Sequence, residues 1–243
     1  MRAYNNPMKK KIVAVWLSVV VAFCLAVGLC VDALDGEQPV FAQDTTLKIV
    51  IDAGHGGIDG GVTGVKTGVK ESDLNLTLAL KLSKRLQEQG FRTALTRKTQ
   101  DGLYDTTAKG FKKRDMTRRK EIIESESPAL VLSLHQNLYP SSSQRGGQVF
   151  YLPGDEEDER LASCLQDGLN GLYRDEGVKG RKHMAAEYFI LQCGDCPSAL
   201  IECGFLSNEK DEKLLLSDNF QGRLVEVICR GVTEYLFSVA AEG

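Results

Sequence analysis

The chain has little of several features that would point to other classes of protein. After about residue 45 it carries no Pro/Ser-rich linker, internal repeat or low-complexity tract, so about 200 residues should form one domain with a sizeable core. The chain also lacks an excess of basic charge. Without residues 1–31 the chain keeps 26 of its 30 Lys and Arg residues against 33 Asp and Glu, a formal net charge of −7. An acidic domain is a poor candidate for binding nucleic acid.

The cysteines of the chain cannot all be paired. Two of the seven fall in an apolar N-terminal stretch, which leaves five in the expected domain: Cys164, Cys193, Cys196, Cys203 and Cys229. Cys193 and Cys196 have the spacing of a zinc knuckle, but a structural zinc site needs four ligands and no second such pair exists. We interpret the cysteines as unpaired small residues, with a disulfide or a metal role for Cys193 and Cys196 as alternatives.

The N-terminal stretch predicts export. Four basic residues precede an apolar run of 20 residues, from Ile12 to Val31, and the first acid is Asp32. Such a run can span a hydrocarbon core of about 30 Å and exceeds the usual ~7–15 residues of a cleaved signal. We predict residues 1–33 as a cytoplasmic basic stub and signal anchor, 34–45 as a short linker and 46–243 as an extracytoplasmic catalytic domain. Cleavage of the signal stays an alternative.

Short apolar runs alternate with helical patterns through the domain. The predicted strands are Leu47–Ile51, Phe91–Thr96, Leu130–Leu134, Gln148–Leu152, Tyr188–Leu191 and Ala199–Cys203. The clearest helix has a leucine every four residues between a cap at Ser72 or Asp73 and Gly90. The other predicted helices are Arg114–Ser125, Glu156–Leu172, Glu209–Leu216 and Phe220–Phe237. This alternation predicts a three-layer α/β domain whose mainly parallel, mixed central sheet is flanked by helices.

Histidine is rare, and two of the three histidines occupy the ends of predicted strands. His55 follows the first strand in a Gly-His-Gly-Gly turn, whose glycines allow a close approach to the backbone. His135 and Glu202 lie at the ends of two later strands, and Glu71 precedes the first helix. Because ligands of open α/β sheets bind beyond the carboxyl ends of strands, these four side chains are expected on one side of the sheet.

The four residue types suit a metal-dependent hydrolase. Two imidazoles and a carboxylate can hold a zinc ion and leave one position open for water, while a second glutamate moves protons. Glu202 suits the second role, because its apolar and small neighbours should raise the pKa of its carboxyl group. Two alternatives remain at this point. Glu71 could be an acid stabilised by a helix N-terminus, and Glu202 an unreactive carboxylate paired with an arginine such as Arg119.

Four ordered motifs resemble the zinc-dependent N-acetylmuramoyl-L-alanine amidases. They are the Gly-His-Gly-Gly turn at 54–57, the helix-leading Glu71, a Ser-x-His-x-Asn strand end at 133–137, and Glu-x-Gly-Phe-x-Ser-Asn at 202–208. The likeness runs from about Lys48 to Leu236. It implies that His55, Glu71 and His135 bind Zn²⁺ and that Glu202 is the catalytic carboxylate.

Two further residues are predicted to bind substrate. Arg119 holds the place of an arginine that family members carry sixteen positions before the second ligand histidine. Asn137 lies two positions after that histidine, where its amide can bond local backbone or substrate.

The resemblance also implies the reaction. The enzyme would hydrolyse the amide that joins the lactyl group of N-acetylmuramic acid to L-alanine in peptidoglycan, without a covalent intermediate. A membrane segment with one catalytic domain, and the segment Glu187–Leu191, look similar to the sporulation amidases, which prepare cortex muramic acid for muramic-δ-lactam formation. An exported activator or regulator protein is then an expected partner. The alternatives are a general cell-separation amidase, a catalytically silent peptidoglycan-binding module, and a non-haem iron oxygenase with the same ligand types.

Overall fold

The computed structural model describes residues 47–241. The predicted anchor, residues 1–33, and the whole predicted linker, residues 34–45, lie outside this range. Within residues 47–241, no helix combines the length and the apolar character needed to cross a membrane.

A six-stranded mixed sheet forms the centre of the domain. Its strands are β1 (Lys48–Ala53), β2 (Arg92–Leu95), β3 (Leu130–Asn137), β4 (Gln148–Tyr151), β5 (Met184–Ala185) and β6 (Ser198–Phe205). They lie in the order β2-β1-β3-β6-β4-β5. Strands β2, β1, β3 and β6 are parallel to one another. Strand β4 is antiparallel to β6, and β5 is parallel to β4. The predicted mixed, mainly parallel sheet is confirmed.

Within residues 47–241, five α-helices cover the sheet: α1 (Glu71–Glu88), α2 (Phe111–Glu126), α3 (Glu156–Arg174), α4 (Glu209–Leu215) and α5 (Asp218–Ala240). The alternation of buried residues along β1 separates two cores. Ile49 and Ile51 belong to the larger core with α1, α3 and α5. Val50 faces the other side and packs with Ile123 of α2 and with Ile190. Helices on both faces give the three predicted layers.

One predicted strand is wrong. Residues Phe189–Gln192 form a 3₁₀ helix, and the short edge strand β5 precedes them. A run of four apolar residues cannot distinguish a strand from a helical turn by periodicity. Here Ile190 and Leu191 are buried in the second core, while Tyr188 and Phe189 are 41% and 47% exposed. The segment therefore buries two neighbouring residues and exposes two others, which a flat strand cannot do.

Candidate active site

His55 lies on a tight turn directly after β1. Its φ of 62° is in the left-handed region, which is uncommon for a residue other than glycine. Two buried arginines hold this turn. Arg119 donates to the carbonyl oxygen of His55 at 2.6 Å, and Arg97 donates to that of Gly54 at 3.1 Å. The unusual backbone conformation of His55 is thus fixed by hydrogen bonds from these two arginine side chains.

Arg119 itself belongs to a buried ionic network. Its side chain is 1% exposed and pairs with Asp52 and Asp115, each at 2.6 Å. Despite burial, the Arg119 charge and hydrogen bonds from Ser133 and Thr96 lower the pKa of Asp52 to about 2. The alternative in which Arg119 neutralises Glu202 is wrong, because its guanidinium is occupied by these two aspartates and by backbone carbonyls.

Glu71 is the first residue of α1 and is 2% exposed. The predicted cap at Ser72 or Asp73 is wrong: the N-cap is Lys70, and carbonyl oxygens of the preceding loop accept from the amides of Glu71 and Ser72. The two carboxylate oxygens of Glu71 face the histidines. Oε1 lies 2.9 Å from His135 Nδ1, and Oε2 lies 3.3 Å from His55 Nε2. Burial raises the pKa of Glu71, but hydrogen bonds with both histidines leave it well below its ordinary value.

His135 and Glu202 are register partners on the adjacent parallel strands β3 and β6. Both strands run further than their apolar runs predict, so these residues lie inside the strands, near their carboxyl ends. Leu134 and Ile201, one position earlier, point into the larger core. By the alternation of side chains along a strand, His135 and Glu202 point together to the opposite face.

Glu202 is the carboxylate without a fixed partner. Its Oε2 atom is buried and has no hydrogen-bond partner among residues 47–241. Burial raises the pKa of Glu202 to about 7, with the His135 charge opposing the rise and the Glu71 carboxylate adding to it. A buried carboxyl group with this pKa can both accept and donate a proton near neutral pH.

The donor set of His55, Glu71 and His135 fits a divalent metal ion. One ligand atom from each lies within 4.8 Å of the others. Glycines make the room for this arrangement: a Cβ on Gly54 would lie 2.3 Å from His135 Nε2, and one on Gly61 2.3 Å from Glu71 Oε2. Two imidazoles and one carboxylate with an open side match catalytic zinc sites.

A cavity of about 470 Å³ opens beside this cluster, and both histidines and Glu202 line it. Its other walls are largely apolar or aromatic and come from α2, the loop before it, the 188–190 segment and β6: Tyr104, Phe111, Met116, Tyr188, Phe189, Ile190 and Leu200. Sequence reasoning missed most of them, because nothing in the loop at Tyr104 or in the first turn of α2 distinguishes cavity residues from surface residues. Asp59 and Lys112 also line the cavity. Of these two residues, only Asp59 could be suspected from the sequence, because it lies in the Gly-rich turn that carries His55.

The two predicted substrate-binding residues lie differently. Arg119 is beneath the cavity and contacts the His55 turn. Asn137 follows His135 after an irregularity in the pairing of β3 with β6, and its carbonyl oxygen accepts from Leu206. The structure does not place Asn137 among the residues that line the cavity.

The five cysteines of the domain are free thiols in the structure. Burial raises the pKa of Cys193 and of Cys196 to about 11, which keeps both as neutral thiols at physiological pH.

Comparisons with known proteins identify the family. The model of the N-acetylmuramoyl-L-alanine amidase family matches residues 49–234. A germination-specific N-acetylmuramoyl-L-alanine amidase of Bacillus subtilis (strain 168) is 31% identical over 234 residues, covering 94% of this chain and 96% of that protein. The fold, the cluster and these matches define a cell-wall amidase domain.

Two solved structures show the same fold. The CwlD amidase from Clostridioides difficile, in complex with the GerS lipoprotein, is 32% identical with a TM-score of 0.75 and covers 79% of this chain and 99% of that one. The catalytic domain of CwlV from Bacillus (Paenibacillus) polymyxa var. colistinus is 27% identical with a TM-score of 0.68, covering 78% and 98%. The chain belongs to the N-acetylmuramoyl-L-alanine amidase family, and the predicted enzyme class is confirmed.

Proposed function

We propose that the chain is a zinc-dependent amidase that cuts the bond between the lactyl group of N-acetylmuramic acid and L-alanine in spore cortex peptidoglycan. The observation that carries the chemical part is Glu202, whose Oε2 atom is buried and without a hydrogen-bond partner among residues 47–241, beside a His-Glu-His cluster. The cortex part is supported by the germination-specific relative, which matches nearly the full length of both chains.

His55, Glu71 and His135 would hold the zinc ion. When bound, zinc polarises the scissile carbonyl and lowers the pKa of a bound water to about 7. Glu202 supplies the proton transfers: its carboxylate accepts a proton from the attacking water as the oxygen bonds to the lactyl carbonyl carbon. The same group then donates a proton to the alanine nitrogen as the C–N bond breaks. The products are a lactyl carboxylic acid and a free stem peptide.

The apolar cavity wall supports water exclusion around the scissile amide. Tyr188 and Phe189 stand partly exposed at this wall, where they can cover a bound glycan or peptide. Excluding water strengthens each electrostatic contact that Glu202 makes during proton transfer. Arg119 would contribute by fixing the His55 turn, and Asn137 by bonding the substrate or local backbone beside β3.

We also propose that the domain works outside the cytoplasm, held at the membrane by the apolar run of residues 12–31. Peptidoglycan as substrate requires export, and the run has the length of a spanning helix. A protein partner is supported by the related CwlD amidase, which was solved with a lipoprotein. Mass measurement of the native protein tests the anchor: an intact N-terminus supports it, and a start near Leu34 or Gln43 contradicts it.

Digestion of defined muropeptides tests the reaction. Mass spectrometry should find free stem peptides and intact glycan, and a chelator should abolish their release until zinc is restored. Glu202→Gln should retain fold and zinc but lose activity by about 10²–10⁴-fold, the usual contribution of a general acid–base. Turnover at the wild-type rate in this variant would remove Glu202 from the mechanism.

Deletion of the gene in its host tests the biological role. Spores should form with a cortex that lacks muramic-δ-lactam, because the lactam requires a muramic acid freed of its peptide. Normal lactam content together with chains of unseparated cells would instead favour the cell-separation amidase.

A further inference from the structure

The three proposed zinc ligands differ in what holds them in place. Glu71 is fixed by α1 and by hydrogen bonds from the amides of Val62 and Gln136, at 2.9 and 3.0 Å. His135 lies in β3, and its ring packs against Gly54 with no space for a Cβ atom. His55 lies outside any helix or strand, on a turn with a left-handed backbone, although its ring packs closely against Gly61. This turn leaves the rotation of the ring to be set by contacts with other side chains.

Asp59 provides that contact. Its Oδ2 atom lies 3.2 Å from His55 Nδ1, while the other ring nitrogen, Nε2, faces Glu71 Oε2 at 3.3 Å. The two nitrogens are thus divided between one carboxylate outside the cluster and one inside it. A neutral imidazole has one N–H and one lone pair, so a hydrogen bond from Nδ1 to Asp59 leaves the lone pair of Nε2 for a metal.

Hydrogen bonds within the turn hold the Asp59 carboxylate beside the His55 ring. Gly56 and Asp59 exchange two backbone hydrogen bonds, at 2.9 and 3.2 Å, which brings the chain back toward the His55 ring. The hydroxyl of Tyr104 accepts from the amide of Ile58 at 2.6 Å and so anchors the tip of this turn. Asp59 Oδ1 lies 3.2 Å from the exposed Lys112, and Oδ2 is the oxygen that faces the ring.

We propose that Asp59 is the positioning residue of His55: its carboxylate accepts the Nδ1–H, selects the tautomer with a free Nε2 lone pair, and orients the ring toward the metal. The inference rests on the proposed zinc site and adds a residue that acts on the metal through His55. Outer carboxylates of this kind typically contribute about 10–100-fold to metal affinity. Asp59 should therefore determine how tightly the enzyme holds zinc.

Competition with a chromophoric chelator at fixed pH measures the zinc dissociation constant of the full-length protein and its variants. Asp59→Asn, which keeps size but loses charge, should bind zinc about 10-fold more weakly, and Asp59→Ala up to about 100-fold more weakly. Asp175→Asn is the matched control, since this aspartate pairs only with Arg223 on the surface, and should stay within about twofold of wild type. Equal melting temperatures of the metal-free proteins would exclude misfolding as the cause.

Lys112→Met tests whether Asp59 acts by orienting His55 or through its ion pair with Lys112. Lys112 is 66% exposed, so its pair with Asp59 should matter little, and zinc affinity should change less than about threefold. A loss as large as that of Asp59→Asn would assign the effect to the ion pair and overturn the proposal. Wild-type affinity in both Asp59 variants would overturn it as well. A wild-type protein that binds no zinc would instead refute the proposed function.

Nitrogen NMR of the metal-free protein at alkaline pH, where the His55 ring is neutral, gives a second readout, because bound zinc would itself fix the tautomer. The wild-type ring should carry its proton on Nδ1, facing Asp59, and Asp59→Ala should show a mixture of the two tautomers with an unchanged His135 signal. The same single tautomer in both proteins would contradict a positioning role.

Discussion

The proposed catalytic role of Glu202 comes with a cost to the stability of the metal-free fold. Its pKa of about 7 exceeds the ordinary glutamate value of 4.5, so the metal-free native state binds the proton more tightly than the unfolded chain. The stabilising effect of that proton is complete below about pH 4.5 and is lost as the pH rises toward 7. Ionised Glu202 therefore lowers the free energy of unfolding at pH 8, by up to about 3 kcal/mol.

Glu202→Gln should remove this pH dependence. In urea unfolding of chelator-treated protein, the variant and the wild type should match near pH 4.5, and the variant should be the more stable at pH 8. A constant difference across this range would show that Glu202 does not titrate there. Glu209→Gln, at an exposed acid near the end of the same sequence motif, serves as the control and should show no such change.

Arg119 is the residue whose loss should harm stability most. Arg119→Met leaves Asp52 and Asp115 in the interior without their cation, which should lower the free energy of unfolding by about 3–5 kcal/mol. The pKa of Asp52, now about 2, would rise, so the deficit should shrink as the pH falls toward 4 and the carboxyl group takes up a proton.

The neighbouring arginine offers a matched control. Arg118 is 58% exposed and pairs with Glu121 one turn along α2. Arg118→Met should change the free energy of unfolding by less than about 0.5 kcal/mol. Equal effects of the two substitutions, measured by urea unfolding at pH 7, would mean that the buried network contributes no more to stability than an exposed ion pair.

At the scale of elements, α5 contains two glycines whose replacement by alanine should change stability in opposite directions. Gly231 lies where α5 meets α3, and a Cβ there would come within 3.0 Å of the Leu165 backbone. A Cβ on Gly222 would have no contacting heavy atom within 4 Å. Gly222→Ala should stabilise the protein by about 0.5–1 kcal/mol through helix propensity, whereas Gly231→Ala should destabilise it by about 1–3 kcal/mol through overpacking. Thermal unfolding of both variants checks the difference, and stabilisation by both would show that α5 moves away from α3 at little cost.

The elements also show what the sequence could and could not predict. Leu74, Leu78, Leu82 and Leu86 recur every four residues, and all are buried in α1. Strand β3 was located by its apolar run, but its extension through His135 to Asn137 was not. Polar residues continue this strand because β6 pairs with it, and such pairing between distant segments leaves no local pattern. The predicted strand at Tyr188–Leu191 is wrong for a different reason, because a short apolar run does not distinguish a strand from a 3₁₀ helix.

At the scale of the whole molecule, the candidate cluster was predictable because topology concentrates strand ends at one edge of a parallel sheet. His55, His135 and Glu202 follow from that rule, and Glu71 from its position before α1. The contacts that support them were not predictable: Arg119, Arg97 and Asp59 act through hydrogen bonds whose partners are fixed only when the layers pack. The cavity wall from Tyr104 and Phe111 likewise depends on the path of a loop without a sequence pattern.

The same convergence predicts that zinc stabilises the whole domain. The ligands come from the turn after β1, from the start of α1 and from β3, so a bound ion joins three separate elements. Free zinc at 100 times its dissociation constant should add about 2.7 kcal/mol to the free energy of unfolding. For a domain of this size the melting temperature should rise by about 5–10 °C. Glu71→Gln should lose most of the rise, whereas Glu88→Gln, an exposed acid at the other end of α1, should keep it. An equal rise in both variants would show that zinc binds elsewhere on the protein, because only Glu71 lies between the two histidines.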